Sequence, residues 1–136
     1  MKCLCANTRR AARSVTRLYE DELRPAGLTA AQFELLSELA HRPPMAQAEL
    51  AGHLGLDQTT LSRNLRGMVE REWVVRSVGA EDKRQSVYAV TSAGRVVWEA
   101  AVPHWERAQA HMRGRLGKDW KKVLAMLGEI QTAASV

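Results

Sequence analysis

Gln47-Ala48-Glu49-Leu50-Ala51-Gly52-His53-Leu54-Gly55-Leu56-Asp57-Gln58-Thr59-Thr60-Leu61 is the stretch on which the fold turns. It predicts two short helices joined by a tight turn. Helices that cross within a few residues need a small side chain where they touch, and Ala51 provides one. The turn needs a residue that tolerates positive φ, and Gly55, four positions on, provides that. Leu50, Leu54, Leu56 and Leu61 then form the core between the helices. Asp57 is placed to cap the second helix, which runs to about Arg71. Its spacing puts Leu61, Leu65, Met68 and Val69 on one face and leaves Gln58, Thr59, Ser62, Arg63 and Arg66 mostly on others. Short polar and basic side chains on an outward helix face can hydrogen-bond base edges and phosphates in a major groove. A generic helical hairpin with a solvated polar face fits this stretch equally well, so the flanks have to decide.

Downstream the period shifts toward strand. Trp73–Val78 and Ser86–Val90 are rich in β-branched residues, as half-buried strands are. The polar stretch Gly79–Gln85 between them reads as a hairpin tip carrying Lys83 and Arg84. Directly after a recognition-type helix, such a hairpin is a wing, able to lay cations against phosphates or into a narrow minor groove. Thr91 or Ser92 caps a further helix to about Leu116, with a kink expected at Pro103. Gly117 separates a last helix whose Trp120, Val123, Leu124, Leu127 and Ile130 form one apolar stripe.

Upstream, about Cys5 to Leu23 is predicted helical, with Ala11, Val15, Leu18, Tyr19 and Leu23 on one face and Arg9, Arg10, Arg13 and Arg17 on its polar side. Pro25, Ala26 and Gly27 break it. Thr29-Ala30-Ala31-Gln32 is a capping box, opening a helix through about His41 with Leu35, Leu36 and Leu39 inward. Pro43-Pro44 ends that segment. The apolar stripes of the first and last helices lie far apart in sequence and flank the turn-joined pair. A compact monomer could bury both, and so could a dimer.

At 136 residues the chain is the size of one domain, large enough for a core without disulfides or a structural metal. A net charge of +5 suits a polyanionic partner, nucleic acid or an anionic membrane face. No apolar run reaches the roughly 18 to 20 residues of a membrane span, and the start leads straight into Arg9 and Arg10 without the apolar stretch of a secretory signal. The expected location is therefore the cytoplasm, where thiols stay reduced. No phosphate-binding glycine loop, nucleophile elbow, metal-binding His pair or acid pair is present, so no enzyme and no cofactor are expected. His41, His53, His104 and His111 lack close ligand spacing, which argues against a metal. His104 and His111 share a face but sit about 10 Å apart along a helix.

Several segments, in order and spacing, carry a more specific signal: Thr29-Ala30-Ala31-Gln32-Phe33, Ala46-Gln47-Ala48-Glu49-Leu50-Ala51, Leu61-Ser62-Arg63-Asn64-Leu65, Trp73-Val74, Asp82-Lys83-Arg84 and Thr91-Ser92-Ala93-Gly94. From about Leu28 to Gly94 the chain resembles the MarR family of bacterial winged-helix regulators. The resemblance implies a mainly α fold with a small β-hairpin wing, an α+β arrangement. It implies one unit over 1–136, with a winged helix-turn-helix DNA-binding part at 28–94 and a helical dimerisation part made of 1–27 and 95–136. It also implies a homodimer that binds double-stranded DNA sequence-specifically at a pseudo-palindromic operator, as a repressor by family habit.

Carried over by position, Arg84 resembles the wing-tip arginine that reaches the minor groove, with Lys83 beside it, and Asp82 resembles the acid that orients that arginine. On the recognition helix, Thr59, Arg63 and Gln58 are assigned to base reading, and Thr60, Ser62 and Arg66 to phosphates. Many relatives release DNA when a small, often aromatic, effector binds between the DNA-binding and dimerisation regions; Trp98, Trp105 and Trp120 are candidates to line such a pocket, with core packing the competing role. Others respond to cysteine oxidation, which brings in Cys3 and Cys5. Residues two apart on a helix point to different sides, so an intrachain disulfide between them would need an irregular backbone. One departure stands out. Relatives usually carry glycine just before the residue aligned with Trp73, and this chain has Glu72. If the backbone there still needs positive φ, the substitution costs on the order of 1 kcal/mol.

Overall fold

In the computed structural model, which describes residues 2–135, local signals decide most of the boundaries. α1 (Leu4–Leu23) ends in a 3₁₀ turn at Arg24–Ala26 containing Pro25. α2 (Ala30–Ala40) starts at the expected capping box: the Thr29 hydroxyl accepts from the Gln32 amide at 3.1 Å, and the Gln32 side chain accepts from the Thr29 amide at 3.0 Å. β1 (Met45–Ala46) and α3 (Gln47–Leu54) follow, then α4 (Gln58–Glu70). β2 (Val74–Val78) and β3 (Ser86–Val90) form the hairpin, and α5 (Ser92–Leu116) and α6 (Trp120–Ala134) complete the chain. α5 is capped by Thr91, whose hydroxyl accepts from the Gly94 amide, and it continues through Pro103 without interruption.

The chain is mainly helical with one small antiparallel sheet of order β1-β3-β2. The sequence does not signal the two-residue β1. A two-residue strand has no period to detect; it exists because Met45 and Ala46 pair with Tyr88 and Val87 of β3. The hairpin register sets Val74 opposite Val90 and Arg76 opposite Tyr88.

The core lies under the helix-turn-helix. α2 contributes Phe33, Leu35, Leu36 and Leu39, all buried, and meets Leu50, Leu61, Leu65, Met68 and Val74. Burying such side chains contributes about 1.5–3 kcal/mol each. The flanking helices behave differently. Of the α1 stripe only Leu23 is fully buried, and α6 buries no residue. Among the described residues, no helix is long and apolar enough to cross a membrane.

Candidate nucleic-acid interface

α3 and α4 meet as the sequence implies. Ala51 is buried at their crossing, and Gly55 takes the left-handed conformation at φ 64° while the Leu56 amide donates back to the Ala51 carbonyl at 3.1 Å. Asp57 then fixes where α4 begins. One carboxylate oxygen accepts the Thr60 amide at 2.8 Å and the other accepts the Thr60 hydroxyl at 2.9 Å. These bonds hold the Asp57 carboxyl below its ordinary pKa, so the cap is charged at neutral pH. They also commit the Thr60 hydroxyl proton to the cap.

With its start fixed, α4 has a defined phase. Leu61, Leu65 and Met68 point into the core, which leaves Gln58, Thr59, Arg63 and Arg66 exposed and Thr60 and Ser62 half-buried. Gln58 and Ser62 are both held by Gln47 of α3: its amide nitrogen lies 3.3 Å from the Gln58 carbonyl oxygen and 2.6 Å from the Ser62 hydroxyl.

The wing tip is a closed turn. The Gly79 amide donates to the Gln85 carbonyl at 3.0 Å, and the Gln85 amide donates to the Asp82 carbonyl at 3.1 Å. Asp82 meets Arg84 through the backbone: its carboxylate accepts the Arg84 amide at 3.0 Å. No ion pair joins the two side chains among the described residues. Lys83 and Arg84 are exposed at the tip.

Between α4 and the wing runs a crevice that the sequence did not reveal. One part, about 390 Å³, is lined by Gln47, Ser62, Arg66, Arg76 and Ser86, with Glu70 at its side. An adjoining part, about 240 Å³, is lined by Gln47, Gln58, Arg84 and Ser86. Arg76 joins the site because the hairpin register turns it there, where its Nε donates to the Ser86 hydroxyl at 2.8 Å. Nothing in the strand pattern marks it, since β2 has only Val74 buried. Among the described residues, Arg63, Arg66, Arg76, Lys83 and Arg84 form no salt bridge, whereas Arg24, Arg42 and Arg107 do. Cations left unpaired beside a groove are positioned for an external polyanion.

The joint behind the recognition helix explains the departure at Glu72. The Glu72 amide donates to the Val69 carbonyl at 2.9 Å and the Trp73 amide to the Met68 carbonyl at 3.1 Å, the two hydrogen bonds of a Schellman ending. Glu72 occupies the glycine position at φ 62°, so the left-handed turn persists without glycine. Its carbonyl accepts the Thr91 hydroxyl at 2.6 Å, and the Thr91 amide donates to the Trp73 carbonyl at 3.0 Å. Gly94 packs so closely that an added Cβ would lie 2.1 Å from the Trp73 carbonyl oxygen.

A second cavity, about 350 Å³, lies among α1, α2 and α5. Tyr19, Phe33 and Trp105 give it aromatic walls, with Phe33 and Trp105 stacked at 5.8 Å, and Glu34 is its one charged lining residue. Partial desolvation of the carboxyl at the cavity wall, with the Glu38 charge second, raises the Glu34 pKa, while the residue as a whole stays exposed. Burial also raises the Tyr19 phenol, against the Arg113 charge, and its hydroxyl donates to Gln109. Trp98 and Trp120 lie elsewhere: Trp98 donates to the Ser37 hydroxyl at 2.8 Å, and Trp120 packs under Arg113. Cys3 and Cys5 are free thiols at the start of α1, and Cys3 caps it by accepting the Ala6 amide at 3.5 Å. Among the described residues no three His, Cys, Asp or Glu side chains gather as metal ligands.

Known proteins share this fold. The sequence model of the MarR family matches residues 28–86. The chain is 35% identical to the M. tuberculosis transcriptional regulator MosR, solved in complex with DNA, with a TM-score of 0.86 over 99% of this chain and 100% of that one. It is 31% identical over 88 residues to the HTH-type transcriptional regulator YwoH of Bacillus subtilis, covering 65% of this chain and 64% of YwoH. It is 32% identical over 83 residues to the multiple antibiotic resistance protein MarR of Escherichia coli, covering 61% of this chain and 58% of that protein. The match thus spans less than two thirds of the length of these last two relatives.

Proposed function

The chain belongs to the MarR family of transcriptional regulators, not to a family of enzymes, and from that premise we propose that it is a homodimeric repressor acting in the cytoplasm on a pseudo-palindromic operator. The observation that carries the reading is the α4 face together with the wing: Arg66, Arg76 and Arg84 line one crevice with hydroxyl and amide groups between them, Arg63 and Lys83 stand exposed on α4 and on the wing tip, and none of the five is in a salt bridge among the described residues. Residues 28–94 serve as the DNA-binding part, and 1–27 with 95–136 as the dimerisation part. Thr59, Arg63 and Gln58 read bases. Ser62, Arg66 and Arg76 hold phosphates, with Thr60 contributing through its oxygen, and Lys83 and Arg84, on a tip braced by Asp82, approach the minor groove.

The dimer is supported by α6. Its Leu124, Met126 and Leu127 are 51%, 49% and 46% exposed, and Leu4 and Val15 of α1 are exposed as well. A 15-residue helix that packs so little of its apolar face is marginal alone; a partner's helices would cover it. The cavity between α1, α2 and α5 is the place for an effector. Its aromatic walls, its single acid and the lack of a lining cation favour a neutral or cationic aromatic compound over a carboxylate. Such a ligand would act by favouring a spacing of the recognition helices that no longer matches DNA.

The test is selection from random duplexes at graded salt, with sequencing of the bound fraction. The expected result is a pseudo-palindrome with half-sites about one helical turn apart. Arg66→Ala and Arg76→Ala should each lower the salt slope by about one phosphate. Arg63→Ala should relax preference at particular base pairs. No enrichment, or binding indifferent to all three substitutions, would overturn the reading.

A further inference from the structure

The side chain of Gln47 connects the three elements that make the candidate reading surface. Backbone pairing of its neighbour Ala46 with Val87 anchors it to β3. Its amide nitrogen reaches Ser62 at 2.6 Å and Gln58 at 3.3 Å, and its carbonyl oxygen accepts the Tyr88 hydroxyl at 3.3 Å. Tyr88 is itself buried in β3, opposite both Met45 and Arg76. One side chain on α3 therefore ties the recognition helix α4 to the wing sheet. It also sits on the wall shared by both parts of the crevice.

This has a consequence for Gln58. A primary amide reads adenine by using both ends at once, donor and acceptor, against N7 and N6. The bond from Gln47 takes one of the two lone pairs on the Gln58 carbonyl oxygen and ties the orientation of that amide to Gln47 instead of to a base edge. We propose that Gln47 is the positioning residue of the base-reading surface: it docks α4 against the wing and limits Gln58 to a single-ended contact. This rests on the DNA-binding reading above and goes beyond it, because it says what Gln58 is prevented from doing. In the wild-type protein Gln58 contributes weak preference at its base pair. With the Gln47 amide removed, Gln58 is free to pair bidentately, while α4 and the wing lose a brace that holds them in the binding geometry.

The experiment compares wild-type, Gln47→Met, Gln58→Ala and the double variant, as full-length proteins, by the same selection and by titration with the selected duplex. Gln47→Met keeps length and helix propensity and removes the polar ends. Overall affinity should fall about three- to tenfold, the penalty of ordering freed side chains on binding. At one base pair per half-site, adenine should be enriched about fivefold or more. In the Gln58→Ala background that enrichment should vanish, which a merely structural role of Gln47 would not produce. Tyr88→Phe, which removes only the hydroxyl that orients Gln47, should move the preference in the same direction and serves if Gln47→Met melts early. Unchanged base preferences in both Gln47→Met and Tyr88→Phe would overturn the proposal, as would a change that persists without Gln58. If the wild-type protein selects no sequence at all, the DNA-binding reading fails and this inference with it.

Discussion

Replacing Glu72 by glycine should stabilise the protein, although it removes a side chain. Glu72 holds φ at 62°, where a Cβ crowds the following carbonyl at a cost of about 1–2 kcal/mol. Glycine adopts that conformation freely but gives the unfolded chain more freedom, which takes back about 0.4–1 kcal/mol. The net gain therefore spans zero to about 1.6 kcal/mol and is centred on about 0.8 kcal/mol. For a domain of this size that corresponds to a melting temperature higher by roughly 2–5 °C. Because melting of any protein that self-associates depends on concentration, variants must be compared at equal protein concentration. Thermal denaturation followed by circular dichroism is the assay, and Glu72→Ala is the control: it removes the carboxylate but keeps a Cβ at positive φ. Glycine should gain and alanine should not. Equal gains for both would trace the effect to the lost charge, and no gain for glycine would refute the strain argument.

Three further outcomes follow from the geometry. Gly94→Ala would drive a Cβ into the Trp73 carbonyl, backbone against backbone, so it should cost about 2 kcal/mol or more and lower the melting temperature by several degrees; an unchanged melt would mean that the α5–β2 joint is looser than it stands here. Leu124→Asp with Leu127→Asp should convert a dimer to monomer in sedimentation and weaken operator binding, while a species that stays dimeric would clear α6 of the interface. The third concerns pH. The folded-state pKa of Glu34 lies above its unfolded value of 4.5, so its contribution is fully present below that value and is lost as pH rises through the folded pKa. Glu34→Gln should therefore flatten the stability profile from about pH 4.5 upward, read by urea denaturation at stepped pH; a profile parallel to wild type would rule out desolvation of that carboxyl.

What could be read from the sequence was what neighbouring residues decide between themselves. The Thr29–Gln32 box, Gly55, the Asp57 cap and Thr91 are each complete within four residues, and the helices they bound begin or end where expected. The outward face of α4 was legible for the same reason, because buried Leu61, Leu65 and Met68 set its phase. β1, Arg76 and Gln47 were not legible. Each takes its role from a partner forty or so residues away in sequence or across the hairpin, and a periodicity carries no register. Asp82 lies between these cases. Its nearness to Arg84 was visible, but whether the carboxylate would meet the guanidinium or the backbone amide depended on the tip's conformation.

Glu72 shows how local and distant causes combine. The missing glycine was visible in the sequence, but whether the backbone would keep its left-handed turn was not. Were the helix end alone responsible, α4 could unwind by a residue and relieve the strain. It is held from both sides instead. The Val69 and Met68 carbonyls claim the amides of Glu72 and Trp73, and Thr91 claims the two carbonyls that follow. The absence of a Cβ at Gly94 lets the α5 backbone pack directly against the Trp73 carbonyl. The strain persists because relieving it would break a joint shared by α4, β2 and α5. A movement of α5 would therefore reach the base of the wing through Thr91 and Trp73.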